Sequence, residues 1–351
     1  MLSLRSPWEN NSNPIWIASS LNLVRNVENF LYPAKLSTRK RTQIFGAITE
    51  ELDKEPKLQK ALLLKAEEIS PTEKEFLYEH FLTPYTFHQA QKGEGFMVSP
   101  GGKLLISINL KDHIQFRIID CQTEIEEEWN QLADLDIFLG KKLGYAFNPK
   151  YGFLTADPTQ CGTALTATAF LQVPALIHTG KIDEFLSTHR DNSLMITGLQ
   201  GKLTESLEEN IGDILTIYNN YTLGTNEENI LSSVRSFATK LLVMEKSIRK
   251  SIIEGNDHPD LKDRVSRAYA VLIHSYQIDT VEAMNSISLM KLGLDLGWLD
   301  GVNMSQLNAL FFNCRRAHLA KYFDQEISTK ELTHKRAEFI HKILKSASLK
   351  I

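Results

Sequence analysis

Lys103-Leu104-Leu105-Ile106-Ser107-Ile108-Asn109 and Ile114-Gln115-Phe116-Arg117-Ile118-Ile119-Asp120 are two β-rich runs held apart only by Leu110-Lys111-Asp112-His113. Connections that short join neighbouring strands, so the stretch predicts a strand pair with a tight turn. Extended geometry from 109 to 117 would put Asn109, Lys111, His113, Gln115 and Arg117 on one side and mostly apolar residues on the other. Such a stripe reads first as the solvated face of a sheet and second as a working surface.

Outward from this pair, short apolar runs at 15–18, 96–99 and 214–218 alternate with helical stretches up to about Gly224. That is a mixed α/β or α+β pattern. From about Thr225 the chain turns helical, with Ile230, Val234, Phe237, Leu241, Met244, Ile248 and Ile252 recurring at three and four residues as one apolar helix face. Asp257-His258-Pro259 breaks that helix, 261–278 opens another, and 328–349 reads as a terminal helix whose Lys342, Lys345 and Lys350 complement its dipole. Two domains are expected, 1–224 and 225–351, with the boundary near 222–226.

The 351 residues carry 39 basic and 43 acidic side chains, a net charge of −4, and are 42% hydrophobic. This balance excludes disordered, collagenous and disulfide-scaffold classes and argues against bulk nucleic-acid binding. Cys121, Cys161 and Cys314 are too scattered for a zinc knuckle and too few for a disulfide framework, so a reducing, cytoplasmic compartment and no metal are expected. Residues 1–14 lack the apolar stretch of a signal peptide, and no run approaches the roughly 18 apolar residues of a membrane span. The nearest, 163–177, is interrupted by threonines, Gln172 and Pro174 and is expected to be a core helix.

The stretch Ile17-Ala18-Ser19-Ser20-Leu21-Asn22-Leu23-Val24-Arg25-Asn26-Val27-Glu28-Asn29-Phe30 resembles the opening motif of the ATP:guanido phosphotransferases, most closely the bacterial protein arginine kinases (McsB). Further segments fit in the same order: His80-Phe81-Leu82-Thr83-Pro84, Asn109 to Ile114, Gly144-Tyr145-Ala146-Phe147-Asn148, Gly152-Phe153-Leu154-Thr155, Pro158-Thr159 with Gly162-Thr163, Val173-Pro174-Ala175-Leu176, Asp263-Arg264-Val265 and Leu292-Gly293-Leu294-Asp295-Leu296-Gly297. The resemblance covers nearly the whole chain. It implies an α+β phosphotransferase domain, an antiparallel sheet flanked by helices, followed by an all-helical dimerisation domain. It also implies transfer of the ATP γ-phosphate to a guanidinium nitrogen, a reaction that works by positioning and charge neutralisation.

At the functional positions the chain departs from the resemblance. Ser20 and Asn22 stand where an Arg-x-Arg pair would hold phosphates, and Gln115, Thr166 and Thr197 stand where further arginines would. The strand-end motif Asn-Glu-Glu-Asp-His is here Asn109-Leu110-Lys111-Asp112-His113, so both glutamates are replaced, one with reversed charge. The loop glutamate aligns with Lys202, with Glu205 three residues on; the cysteine aligns with Asp157, with Cys161 four residues on. Cys161 precedes Gly162-Thr163, an expected helix start that would acidify its thiol; the other reading is a small buried residue. Of a phosphoarginine-binding motif, Arg-Asp-x-x-Arg-Ala, only Arg336-Ala337 remains.

Neutral side chains cannot supply the bidentate charge of arginine. At roughly 1.5–3 kcal/mol per hydrogen bond to a charged group, four or five losses would remove most phosphate affinity. The expected reading is therefore a pseudokinase with no intact catalytic set and no cofactor. It would be a homodimeric adaptor or regulator in bacterial protein quality control, partnered by a zinc-binding McsA-type activator and Clp protease components, without nucleic acid or membrane. The alternative is an active protein arginine kinase using ATP-Mg through a diverged site, with Arg117, Cys161, Glu205 or Asp157 taking over. A third reading makes Lys111, Lys202 and Asp157 a mixed-charge site for a carboxylate-bearing ligand.

Overall fold

The computed structural model describes every residue except 1, 3, 84–89, 123, 200–209 and 256–257. Its strands are β1 (Trp16–Arg25), β2 (Leu62–Lys65), β3 (Gly95–Val98), β4 (Leu104–Ile108), β5 (Ile114–Asp120), β6 (Phe147–Asn148), β7 (Gly152–Phe153), β8 (Leu165–Gln172), β9 (Leu194–Gly198), β10 (Ile214–Asn219), β11 (Leu299–Asp300) and β12 (Ser348–Leu349). Helices α1 (Thr38–Leu52), α2 (Pro71–His80), α3 (Ile125–Leu143), α4 (Pro174–His178) and α5 (Ile182–Thr188) lie among them. Helices α6 (Glu227–Glu254), α7 (Pro259–His274), α8 (Thr280–Asp295), α9 (Met304–Asn313), α10 (Arg316–Phe323) and α11 (Thr329–Ile343) follow.

The expected strand pair is β4 and β5, which sit in an eight-stranded sheet of order β2-β3-β4-β5-β1-β8-β10-β9. Every pairing in it is antiparallel. The expected polar stripe fails between the strands. Asn109 takes φ 58, a left-handed conformation that Asn tolerates, and its N–H donates to His113 O at 3.0 Å, so 109–113 is a closed turn. Asn109 and His113 are fully buried, and Asn109 Nδ2 donates to Arg41 O and Gly93 O, both at 2.9 Å. These polar side chains hold backbone and do not face water.

The core helix expected at 163–177 is a second correction: most of it is strand β8, and helix begins only at Pro174. Leu165, Ala167, Ala169 and Leu171 are wholly buried, with Thr166 and Thr168 between them on the opposite side. That is period two, not 3.6. Strand β1 likewise runs well past 15–18, ten residues all buried, because Ser19, Ser20 and Asn22 are polar residues inside a central strand.

The sheet has two unlike faces. On one, Leu21, Leu23, Phe116, Ile118, Leu165, Ala167 and Ile217 pack in a cluster with Ile44 and Ile48 of α1, Leu132 and Leu139 of α3, and Val234, Phe237 and Leu241 of α6. The long helix α6, started by Asn226 accepting from Asn229 N, thus contributes its apolar stripe to the sheet's own core. On the other face, Ala18, Val98, Leu105, Ile119, Phe170 and Ile214 join a cluster with α2 and the helices after α7. The rest of that face is polar. The C-terminal part is not helical throughout, since β11 and β12 pair, with Lys350 held to Asp300 at 2.6 Å.

A buried ionic network ties α6 and α8 to the sheet. Glu245, wholly buried, accepts from Ala175 N at 3.0 Å and Leu176 N at 2.8 Å at the start of α4, and from Arg249 Nε at 2.8 Å. Arg249 Nη1 reaches Asp295 Oδ2 at 3.0 Å, and the buried Lys291 bonds to Gln172 Oε1 of β8. Burial raises the Glu245 carboxyl against the opposing pull of Arg249 and the two N–H groups, and burial holds the Lys291 amine well below its usual range.

Candidate functional site

The register of β5, β1 and β8 assembles the positions singled out in the sequence. Asn22 lies opposite both Arg117 and Thr166, Ser20 opposite Thr168, and Thr197 opposite Thr216 two strands away. Asn22 Oδ1 accepts from Gln115 Nε2 at 2.6 Å and from Arg117 Nη2 at 3.2 Å. The hydroxyls of Ser20, Thr197 and Thr216 are buried without a hydrogen-bond partner among the described residues. Arg25, the arginine retained from the opening motif, is fully engaged elsewhere. It pairs with Asp136 at 2.8 Å, donates to Val24 O and Thr163 O, and lies over the Phe153 ring at 3.6 Å.

ATP is the group the resemblance implies, and this face does not fit its triphosphate. Among the described residues of β1, β5, β8, β9 and β10 that share the face, Arg117 is the cation, and its polar companions Ser20, Asn22, Gln115, Thr166, Thr168, Thr197 and Thr216 are amides and hydroxyls. Three or four phosphate charges held there would meet dipoles where they need guanidinium forks.

At the mouth of the face stand two rigid turns. Asp112, nearly buried, accepts from Asn26 Nδ2 at 2.7 Å and from Ala156 N at 2.6 Å, joining the 109–113 turn to the segment 155–157. Its carboxyl is raised by burial, against those two hydrogen bonds. Asp157 starts a short 3-10 turn over Pro158–Gln160, its Oδ1 accepting from Thr159 N and Oγ1 and its Oδ2 meeting Lys111 Nζ at 3.1 Å. The Thr159 hydroxyl and then Lys111 hold the Asp157 carboxyl below its usual range.

Cys161 closes that turn and is partly exposed, with Thr155 Oγ1 3.5 Å from its sulfur. The helix expected to begin at Gly162-Thr163 is absent; a bend at Thr163 and a left-handed Ala164 lead from there into β8, so no helix N-terminus aims at the thiol. Gly162 holds Cys161 in place through backbone pairing with Phe153, at φ 117, where a Cβ would come within 2.2 Å of Thr222 O. Tyr32 completes the group: its phenol is raised by burial and then by the nearby Cys161 and Asp112. Sequence reading misses Tyr32 and Thr155. Leu31-Tyr32-Pro33 has no periodic signal, and Tyr32 arrives through the neighbouring Leu31 O, which meets His113 Nε2 at 3.0 Å.

His113 is a structural pivot. Its Nδ1 accepts from Val27 N at 3.0 Å, so the ring proton sits on Nε2, which donates to Leu31 O. Burial lowers its pKa from 6.5 to about 4. A depressed histidine withdraws stability as pH falls from 6.5 through about 4 and contributes fully above 6.5. In an NMR titration the His113 ring resonances are therefore expected to stay constant from pH 7 to 5; an inflection near 6.5 would contradict this arrangement.

Of the remaining positions, Leu110 is partly buried against the second core cluster, and Lys202 and Glu205 lie outside the described residues. Arg336 is not available to an anion. It is 1% exposed, donating to Cys314 O and Ile278 O at 2.8 Å each, and Ala337 is equally buried. The phosphoarginine-motif remnant is core structure. No group of three or more metal-ligating side chains occurs among the described residues, and no described helix is long and apolar enough to cross a membrane.

Two family models match this chain: the ATP:guanido phosphotransferase C-terminal catalytic domain over residues 42–248, and the protein-arginine kinase McsB C-terminal domain over 258–350. A protein-arginine kinase of Chlamydia pneumoniae is 33% identical over 96% of this chain and 94% of its own length. That of Bacillus subtilis is 28% identical over 97% of this chain and 93% of its own. In structure, a lombricine kinase aligns with TM-score 0.56 at 17% identity over 74% of each chain. The duplicated taurocyamine kinase of Schistosoma mansoni aligns with TM-score 0.58 at 21% identity over 76% of this chain, which spans 38% of that duplicated protein. These two share the fold of an antiparallel sheet with flanking helices. With both family models matched in order and relatives aligned almost end to end, the chain belongs to the protein-arginine kinase family of ATP:guanido phosphotransferases.

Proposed function

We propose that this protein is a protein-arginine kinase that places a phosphoryl group on arginine side chains of other proteins through a diverged site. Support comes from relatives of that name that match almost the entire chain. The observation that carries it in the geometry is Asp157, a partly exposed carboxylate beside Cys161, whose Oδ2 meets a cation at 3.1 Å. A carboxylate so placed attracts and orients a guanidinium. On this reading Asp157 orients the substrate, Asp112 fixes the segment that carries it, and Arg117 is the charged group of the sheet face. ATP-Mg would be the phosphoryl donor by family, and because the sheet face does not fit its triphosphate in the family's manner, no residue of that face is assigned to hold it. Dimerisation through 225–351, a zinc-binding activator, Clp components and a cytoplasmic site of action belong to the same proposal and rest on the resemblance. Incubation with ATP-Mg, activator and an arginine-rich protein, read as phosphoarginine by mass spectrometry, tests it.

A second reading, a pseudokinase serving as adaptor or regulator, is favoured by one specific observation. Lys111 stands as a cation where the resemblance calls for a carboxylate, and the sheet face behind it is nearly neutral. The same assay separates the two, because an adaptor forms no phosphoarginine.

A further inference from the structure

Lys111 and Asp157 are 46 residues apart in sequence, yet their two turns are fixed to one another through Asp112. The Lys111 turn is closed by Asn109 N–H donating to His113 O and anchored by Asn109 Nδ2 on two carbonyls. The Asp157 turn is anchored through Ala156 N on Asp112. Of the two Asp157 oxygens, Oδ1 is taken by Thr159, and Oδ2 meets only the lysine among the described residues. The side chains are 53% and 33% exposed, so the ion pair is open to solvent and weak.

We infer that Lys111 is an internal competitor: its ammonium occupies Asp157 Oδ2, where the guanidinium of an incoming arginine side chain docks, and substrate engages only by displacing it. This inference rests on the reading of the site as one that engages arginine side chains and does not require that phosphoryl transfer follow. The chemistry supports displacement. An ammonium is a point charge making one contact here, whereas a planar guanidinium presents a fork that can take a carboxylate with two donors. The cost of displacement is that of a half-exposed pair, which corresponds to about fivefold in affinity or less. Lys111 thus sets a threshold that weakens any cationic side chain at Oδ2 by the same factor, and the preference for arginine over lysine comes from the guanidinium fork itself.

The test measures binding without nucleotide, using the full-length protein at low salt. The probes are fluorescent decapeptides in a Gly-Ser background carrying one arginine, one lysine or one citrulline. Lys111→Ala and Lys111→Met are expected to bind the arginine peptide about two- to fivefold more tightly than the wild type, with the citrulline peptide unchanged. Asp157→Asn is expected to lose arginine binding in either background. No gain in either Lys111 variant, an equal gain for citrulline, or no binding of the arginine peptide to Lys111→Ala would overturn the inference. The use of Met alongside Ala guards against a folding defect from loss of the aliphatic stem. Phosphoarginine formation by the same preparations is scored separately. Its absence alongside the binding gain would defeat the kinase reading and leave this inference standing.

Discussion

Glu245→Ala is expected to lower the free energy of unfolding by about 3–5 kcal/mol, the range for removing one partner of a buried ion pair. Three losses coincide. The Arg249 guanidinium loses its contact at 2.8 Å and keeps only the partly exposed Asp295. Two N–H groups at the start of α4, those of Ala175 and Leu176, lose their acceptors in a buried place. The Lys291 amine, disfavoured first by burial and then by Arg249, is left beside a cation that only Asp295 still balances. Glu245→Gln retains an oxygen for one N–H and is expected to cost less. Urea unfolding of the three proteins measures this; a change below about 1 kcal/mol for alanine would mean that the network does not tie α6 to the sheet.

Asp112→Ala is the second large effect and joins stability to the site. One buried carboxylate oxygen accepts from Asn26 and from Ala156; when it is removed, Asn26 Nδ2 keeps Leu154 O at 3.0 Å while Ala156 N loses its acceptor. A loss of about 1–3 kcal/mol in unfolding free energy is expected from the one stranded donor and the lost Asn26 bond. The larger consequence is local. Ala156 is next to Asp157, so its release frees the carboxylate proposed to engage the guanidinium, and on that proposal a displacement of about 1 Å is worth on the order of a hundredfold in rate. Arginine-peptide binding and phosphoarginine formation are both expected to fall steeply in Asp112→Ala. Asp112→Asn, which keeps an acceptor oxygen, is expected to retain much of the stability. Retention of full binding by the alanine variant would separate Asp112 from the site.

The strand pair around residues 103–120 was legible because alternation and a short connection agree with each other. Strands β1 and β8 were harder for one physical reason: each carries polar residues on one face in the middle of the sheet. Ser20, Asn22, Thr166 and Thr168 interrupt apolar runs that tertiary burial nonetheless makes into central strands. The polar face is what conceals them. The 109–113 turn was signalled by an Asn able to take φ above zero, a signal outweighed by the apparent alternation. Around Cys161, Pro158 starts a helical turn before the cysteine, not after it, which removes the expected dipole. The register of β5, β1 and β8 puts Gln115, Ser20, Asn22 and Thr166 on neighbouring strands, whereas Thr197 lies on the edge strand β9. The pairing of Lys111 with Asp157 had no counterpart in periodicity, because it joins two turns through the intervening fold.

The most direct test of the proposed function is to incubate the full-length protein with ATP-Mg, an activator and an unfolded arginine-rich protein, and to measure phosphoarginine by mass spectrometry, beside Asp157→Asn. The expected result is phosphoarginine on the substrate protein with the wild type and its loss in the variant. No phosphoarginine from the wild type, together with a melting temperature unmoved by millimolar ATP, would contradict the kinase reading and leave the adaptor in its place.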